Sequence, residues 1–152
     1  GAEHQAYADR IRDMAAGLPV HIHHGIDHLA LAGLFGRARI YWHATGYGAD
    51  LQRYPDQAEH FGMSIAEAMS AGAVPVVFAA GGPAEIITPR RDGLVWQTPT
   101  ALVEETLGLI MGPELQARMA AAAIARSRDF ETRAFMRRAR EVWADVVRRG
   151  RT

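Results

Sequence analysis

Apolar and polar positions follow one another along this chain in short blocks, and the period of each block predicts its element. Tyr7, Ile11 and Met14 stand at helical spacing ahead of Gly17, which predicts an amphipathic helix over residues 3–16. Residues 20–24 read as a short strand ended by Gly25, and residues 29–35 as a short apolar helix capped by Asp27 and closed by Gly36. Ile40–His43 predicts the next strand. Residues 44–58 then form a loop rich in Gly, Asp, Tyr and Pro, of a length at which structureless connections are usually functional.

The helical period returns over 61–71. Phe61, Ile65, Ala68, Met69 and Gly72 share one face, and Ser64, Glu67 and Ser70 share the other. Residues 74–79 are continuously apolar between Gly72 and Gly81, as a strand buried on both faces of a parallel sheet requires. Gly81-Gly82-Pro83 opens a short helix to Ile87, with Pro83 suited to a first helical position, and Leu94–Trp96 is the last strand. Three helices follow, from Pro99 or Thr100 to Met111, from Pro113 to about Ser127, and from Thr132 to Arg149. The last carries Phe135, Ala139, Val142, Trp143, Val146 and Val147 in one stripe. Short strands alternating with helices predict an α/β fold of parallel βαβ units with right-handed crossovers. About four strands, entered from a helix, are few for a doubly wound sheet. The expectation is one incomplete domain over 1–152, a fragment of a longer protein.

Composition narrows the class. The 152 residues carry 49% apolar and 22% charged side chains with zero net charge, which describes a soluble globular protein and excludes wholesale disorder. No apolar run approaches the roughly 20 residues that span a bilayer, and no signal peptide is visible, so a cytoplasmic location is expected. Cys is absent, which removes disulfide and thiolate chemistry. All 17 basic residues are Arg, so no lysine serves as a phosphate clamp or Schiff base.

The chemistry concentrates between 59 and 77. Glu59 lies at the mouth of the 61–71 helix and Glu67 about two turns inside it. A helix mouth presents unpaired N–H groups and partial positive charge, which suits a phosphate, and carboxylates accept hydrogen bonds from sugar hydroxyls. Taken alone, Glu59 reads first as a helix-dipole or capping acid and Glu67 as a solvated helix position. Gly81 and Gly82 supply backbone freedom at a second helix mouth, again on the carboxyl side of a strand, where open α/β sheets bind ligands.

The ordered set Glu59-His60-Phe61-Gly62, Glu67-Ala68-Met69-Ser70-Ala71-Gly72-Ala73-Val74-Pro75-Val76-Val77, Gly81-Gly82-Pro83-Ala84-Glu85-Ile86-Ile87 and Gly93-Leu94-Val95 resembles the retaining glycosyltransferases of family 4, also described as glycosyl transferases group 1. Their nucleotide-sugar-binding lobe carries a Glu-x7-Glu signature. The resemblance implies a Rossmann-like parallel sheet with flanking helices and a helical C-terminus, the C-terminal lobe of the two-lobed GT-B architecture. It implies that Glu59 is catalytic and contacts the donor sugar. It also implies that Phe61, Gly62 and Met63 meet the sugar and diphosphate through their N–H groups, that Glu67 binds the ribose, and that Gly81, Gly82 and His43 are ligand-loop residues. No cofactor or metal is expected; the ligand is a nucleoside diphosphate sugar.

By the same resemblance, the whole enzyme would transfer a hexosyl group to an acceptor with retention, in cell-envelope or polysaccharide biosynthesis. The basic diphosphate clamp would lie upstream of Gly1, Arg90 and Arg91 being no substitute by motif position, and an N-terminal lobe would supply the acceptor site. The isolated chain is therefore expected not to catalyse transfer and to bind nucleotide weakly. The 44–58 loop departs from the family's short Pro-Ser turn; it opens His43-Ala44-Thr45-Gly46-Tyr47-Gly48 and carries Asp50, Arg53 and Tyr54.

Several other readings compete. His21 and His23 share a strand face and, with His24, His28 and Asp27, have the residue types for metal binding, yet the family fold needs no metal in this lobe. Residues 126–151 hold nine arginines against four acids, read as a solvated helix face rather than a nucleic-acid site, with peripheral membrane contact or an interface with the other lobe left open. A sheet edge at 20–24 would pair with Ile40–His43 or with a second copy of the chain. The alternative functions are a sugar-nucleotide epimerase of the same fold type and a flavodoxin-like or response-regulator-like binding module; the latter needs a late lysine that this chain lacks.

Overall fold

The computed structural model describes residues 2–150, with side chains from residue 5 onward; Arg151, one of the C-terminal arginines, lies outside them. The chain forms two compact units, Gly1–Leu31 and Ala32–Thr152.

The first unit holds helix α1 (Ala2–Ala15) and the start of α2 (His28–Arg37). Asp27 Oδ1 accepts the Ala30 N–H at 2.7 Å, the capping bond expected of Asp at that position. Residues 20–24 form no strand, which corrects the expectation of a strand there. Each of the five is exposed. An extended segment becomes a strand only when a neighbour completes its ladder, and among the described residues none does.

The second unit is built on three parallel strands in the order β1 (Ile40–His43), β2 (Val74–Phe78), β3 (Leu94–Trp96). The sheet therefore has three strands instead of about four, with β1 and β3 as its edge strands. Ile40 pairs with Val74 and His43 with Val77, while Val76 pairs with Leu94 and Phe78 with Trp96. Pro75 sits inside the central strand, where a missing N–H is normally excluded. It is accommodated because the ladder to β3 begins only at Val76.

Crossing segments cover both faces. Helix α3 (Met63–Ser70) joins β1 to β2, and α4 (Pro83–Ile86) follows β2. Helices α5 (Pro99–Met111), α6 (Pro113–Ser127) and α7 (Thr132–Arg149) complete the chain. Side chains alternate along each strand, so the core divides in two. Val77 packs with Ile65, Met69, Ile86, Ile87 and Ala123 on one face, with Tyr41 and Val95 against them. Val74 and Val76 pack with Leu94, Trp96, Leu109 and Met119 on the other. Burying each of these aliphatic side chains contributes about 1.5–3 kcal/mol. The continuous apolar run of β2 thus reflects burial on two sides. Along α7 only Ala134 is buried; Phe135, Val142, Trp143 and Val146, the predicted stripe, remain exposed.

Candidate functional site

The carboxyl ends of β1 and β2 carry the residues singled out by sequence. Tyr41 and His43 lie two positions apart on β1 and so face the same side of the sheet, toward α3. Tyr41 Oη donates to Ser64 Oγ at 2.9 Å, and Ser64 is the second residue of α3. His43 Nε2 stands 3.4 Å from Glu59 Oε2, just ahead of α3. One strand face therefore holds both the first turn of the helix and the acid at its mouth. Trp42, on the opposite face, donates from Nε1 to Thr106 Oγ1 of α5 at 2.9 Å.

The mouth itself is set by Gly62, which caps α3 in the left-handed region with φ 97° and ψ 56°. Only glycine adopts this at little cost. A side chain there would also place its Cβ 2.7 Å from Ile65 Cδ1. The Ile65 and Ala66 N–H groups both donate to the Gly62 carbonyl. The N–H groups of Met63 and Ser64 therefore lead the helix, in the first turn, where no intrahelical acceptor exists. Such a terminus attracts an anion. Phe61 and Met63 are exposed beside it, and Phe61 rests edge-on against Phe130, with ring centroids 5.7 Å apart.

The two oxygens of Glu59 have different neighbours: Oε1 accepts the Phe61 N–H at 3.4 Å, and Oε2 faces His43. Its side chain stays 30% exposed, so it remains open to a ligand. Glu67 is exposed on the solvent side of α3. Burial pushes the Tyr41 phenol above its ordinary pKa of 10.0; the Ser64 bond works the other way, and Glu59 and Glu67 both add to the rise. The fields of the two glutamates thus converge on one phenol.

Gly81 and Gly82 meet the Glu59–Phe61 backbone directly. The Gly82 N–H donates to the Glu59 carbonyl at 2.8 Å. A Cβ on Gly81 would lie 2.3 Å from Glu59 O, and one on Gly82 2.3 Å from His60 O and 2.6 Å from Phe61 Cα. Here the glycines seat the loop that carries the acid. The 44–58 loop is a succession of turns rather than a structureless span. The Arg53 and Tyr54 N–H groups donate to the Asp50 carbonyl, and Pro55–Gln57 forms a turn of 3-10 helix. Tyr47 anchors it over the sheet's carboxyl edge, 5.5 Å from the Phe78 ring and 5.2 Å from Trp96.

The remaining candidates stand apart. Glu85 is exposed on α4, whose last carbonyls accept from Arg126, Glu85 O at 3.1 Å and Ile86 O at 3.0 Å. Arg90 pairs with Glu105. Among the described residues no group of three His, Cys, Asp or Glu is arranged to hold a metal, and no helix is long and apolar enough to cross a membrane. Sequence reasoning missed Tyr41, Thr45 and Ser64. The available signal was the two-residue spacing of Tyr41 and His43 on a strand leading into the motif.

The family model for glycosyl transferases group 1 matches residues 3–126. The chain belongs to this family. No protein with a curated description matches this glycosyl transferases group 1 chain in sequence. Among solved structures it is similar to a sucrose-phosphate synthase from Thermosynechococcus elongatus, with a TM-score of 0.73 and 21% identity. The match covers 97% of this chain and 35% of that one, so the chain spans about a third of its solved relative. At that identity the likeness speaks for the fold: a parallel sheet flanked by helices with a helical C-terminus, of the GT-B glycosyltransferase type.

Proposed function

We propose that this chain is the donor-binding lobe of a retaining glycosyltransferase, taking a hexose from a nucleoside diphosphate sugar. The observation that carries the reading is the mouth of α3. Leading N–H groups sit there between two acceptor-only carboxylates, Glu59 at the mouth and Glu67 inside the helix. The diphosphate would bind at the N–H groups of Gly62 and Met63, beside Phe61, whose own N–H is held by Glu59 Oε1; the hexose hydroxyls would bind at Glu59 and the ribose hydroxyls at Glu67. Negative charge grows on the departing diphosphate as the glycosidic bond breaks, and a fixed helix terminus stabilises it without reorganising. The chain needs no cofactor or metal of its own for these roles. The acceptor would come from a second lobe, for which the uncovered stripe of α7 is a docking face, and β1 offers an open edge for self-association.

Calorimetric titration of the protein with UDP-glucose, GDP-mannose and ADP-glucose tests the reading. We expect one of the three to bind, with Glu67→Ala weakening it about 10-fold through loss of hydrogen bonds to a charged acceptor. Unchanged affinity in Glu67→Ala, or no binding in the full-length protein, would refute it.

A further inference from the structure

The Glu59 carboxylate does not choose its own orientation. His43 is only 7% exposed, and its two ring nitrogens have opposite surroundings. Nε2 has Glu59 Oε2 at 3.4 Å and Thr45 Oγ1 at 3.3 Å, whereas Nδ1 is buried with no hydrogen-bond partner among the described residues. A carboxylate only accepts, so a bare Nε2 lone pair facing it would be repelled. Nδ1 lacks a partner whether it is protonated or bare, so it does not choose between the tautomers. The carboxylate beside Nε2 is what puts the proton there.

We propose that His43, as the Nε2–H tautomer fixed at the end of β1, is the positioning residue that aims Glu59 at the ligand. The neighbouring geometry supports this. Glu59 Oε1 accepts the Phe61 N–H and Oε2 lies 3.4 Å from His43 Nε2, so the two contacts bear on opposite oxygens of one carboxylate. His43 itself is immobilised by its register with Val77 and by burial. On that tautomer Thr45 Oγ1, 3.3 Å away, accepts from the same N–H. The inference rests on Glu59 facing the donor hexose, and it deepens that reading: His43 acts on recognition of the sugar and leaves the diphosphate contact alone.

The test uses the full chain with nitrogen-labelled histidine. The His43 ring resonances in the unligated protein should show a protonated Nε2 and an unprotonated Nδ1, and Glu59→Gln should move the Nε2 resonance. A proton on Nδ1, with Nε2 accepting from Thr45, overturns the proposal; so does indifference to Glu59→Gln. The second arm compares each nucleoside diphosphate with its hexose conjugate: UDP with UDP-glucose, GDP with GDP-mannose, ADP with ADP-glucose. His43→Phe, which keeps the ring volume, should lose about 10-fold of the affinity contributed by the hexose and none of that for the diphosphate. His43→Gln, whose amide places a donor near the Nε2 position, should restore most of it. Equal losses for nucleotide and conjugate would mark His43 as merely structural and overturn the proposal. A parent protein that gains nothing from the hexose would instead sink the donor-site reading, while the ring resonances still decide the His43–Glu59 coupling.

Discussion

Gly82→Ala isolates what the Gly-Gly pair does. Gly82 has φ −55° and ψ −38°, a conformation any residue adopts, so the substitution brings no backbone strain. Its whole cost is contact. The new methyl would lie 2.3 Å from His60 O, 2.6 Å from Phe61 Cα and 2.7 Å from His60 C, all main-chain atoms that no rotamer change can move. Reaching ordinary contact requires the loop to retreat by about 1 Å, which stretches the 2.8 Å bond from Gly82 N–H to Glu59 O past hydrogen-bond range. Overpacking costs about 1–3 kcal/mol and the lost bond about 1, so we predict a destabilisation of about 2–4 kcal/mol. That is a large part of the 5–15 kcal/mol typical of a domain. Urea unfolding followed by circular dichroism measures it. Gly108→Ala is the control: it lies within α5 with nothing within 4 Å of its added methyl. It should stabilise by about 0.5–1 kcal/mol. The displaced Glu59–Phe61 segment should also show faster exchange of the Phe61 amide. A Gly82→Ala protein within about 0.5 kcal/mol of the parent, with the Phe61 amide unchanged, would refute the reasoning.

Two further predictions concern the same unit. The folded Tyr41 phenol titrates above its unfolded value of 10.0, so the native state holds the proton more tightly. Its contribution to stability is complete below pH 10.0 and is lost as pH rises through the folded value. Tyr41→Phe should therefore cost about 1 kcal/mol at neutral pH, from the Ser64 bond, and flatten the alkaline decline. Parallel stability–pH curves for parent and variant above pH 10 would contradict this. Asp92 is 2% exposed, and its Oδ1 accepts the Thr88 N–H at 2.7 Å in the turn between α4 and β3. Asp92→Ala strands that donor and should lower stability by about 1–3 kcal/mol, whereas Asp92→Asn, which retains an acceptor, should cost less. Equal urea midpoints for the two variants would show that the bond is not what matters there.

The helices, the β2 and β3 strands and the motif were legible without coordinates because each rests on local information. Pro99, Pro113 and Gly72 punctuate elements by their own backbone preferences, and the run from Val74 is apolar at every position, a pattern that parallel burial demands. Glu59 and Glu67 were legible from spacing around one helix. The 20–24 segment was misread for the complementary reason. A short segment stopped by glycine can be willing to form a strand, but a ladder needs a partner, and sequence carries no partner. The same holds at the site. That β1 turns Tyr41 and His43 toward α3, so that Ser64 and Glu59 are both held from one strand, follows from register between segments more than 15 residues apart. Sequence marked Gly81 and Gly82 as flexible; only the tertiary structure reveals that they are small because the backbone of Glu59 at Gly81, and of His60 and Phe61 at Gly82, occupies the space where side chains would stand. The chain's own pattern determined which residues could form a helix mouth flanked by acids. The packing of distant segments decided which groups stand beside Glu59, since distances across a fold are set by contacts and not by order along the chain.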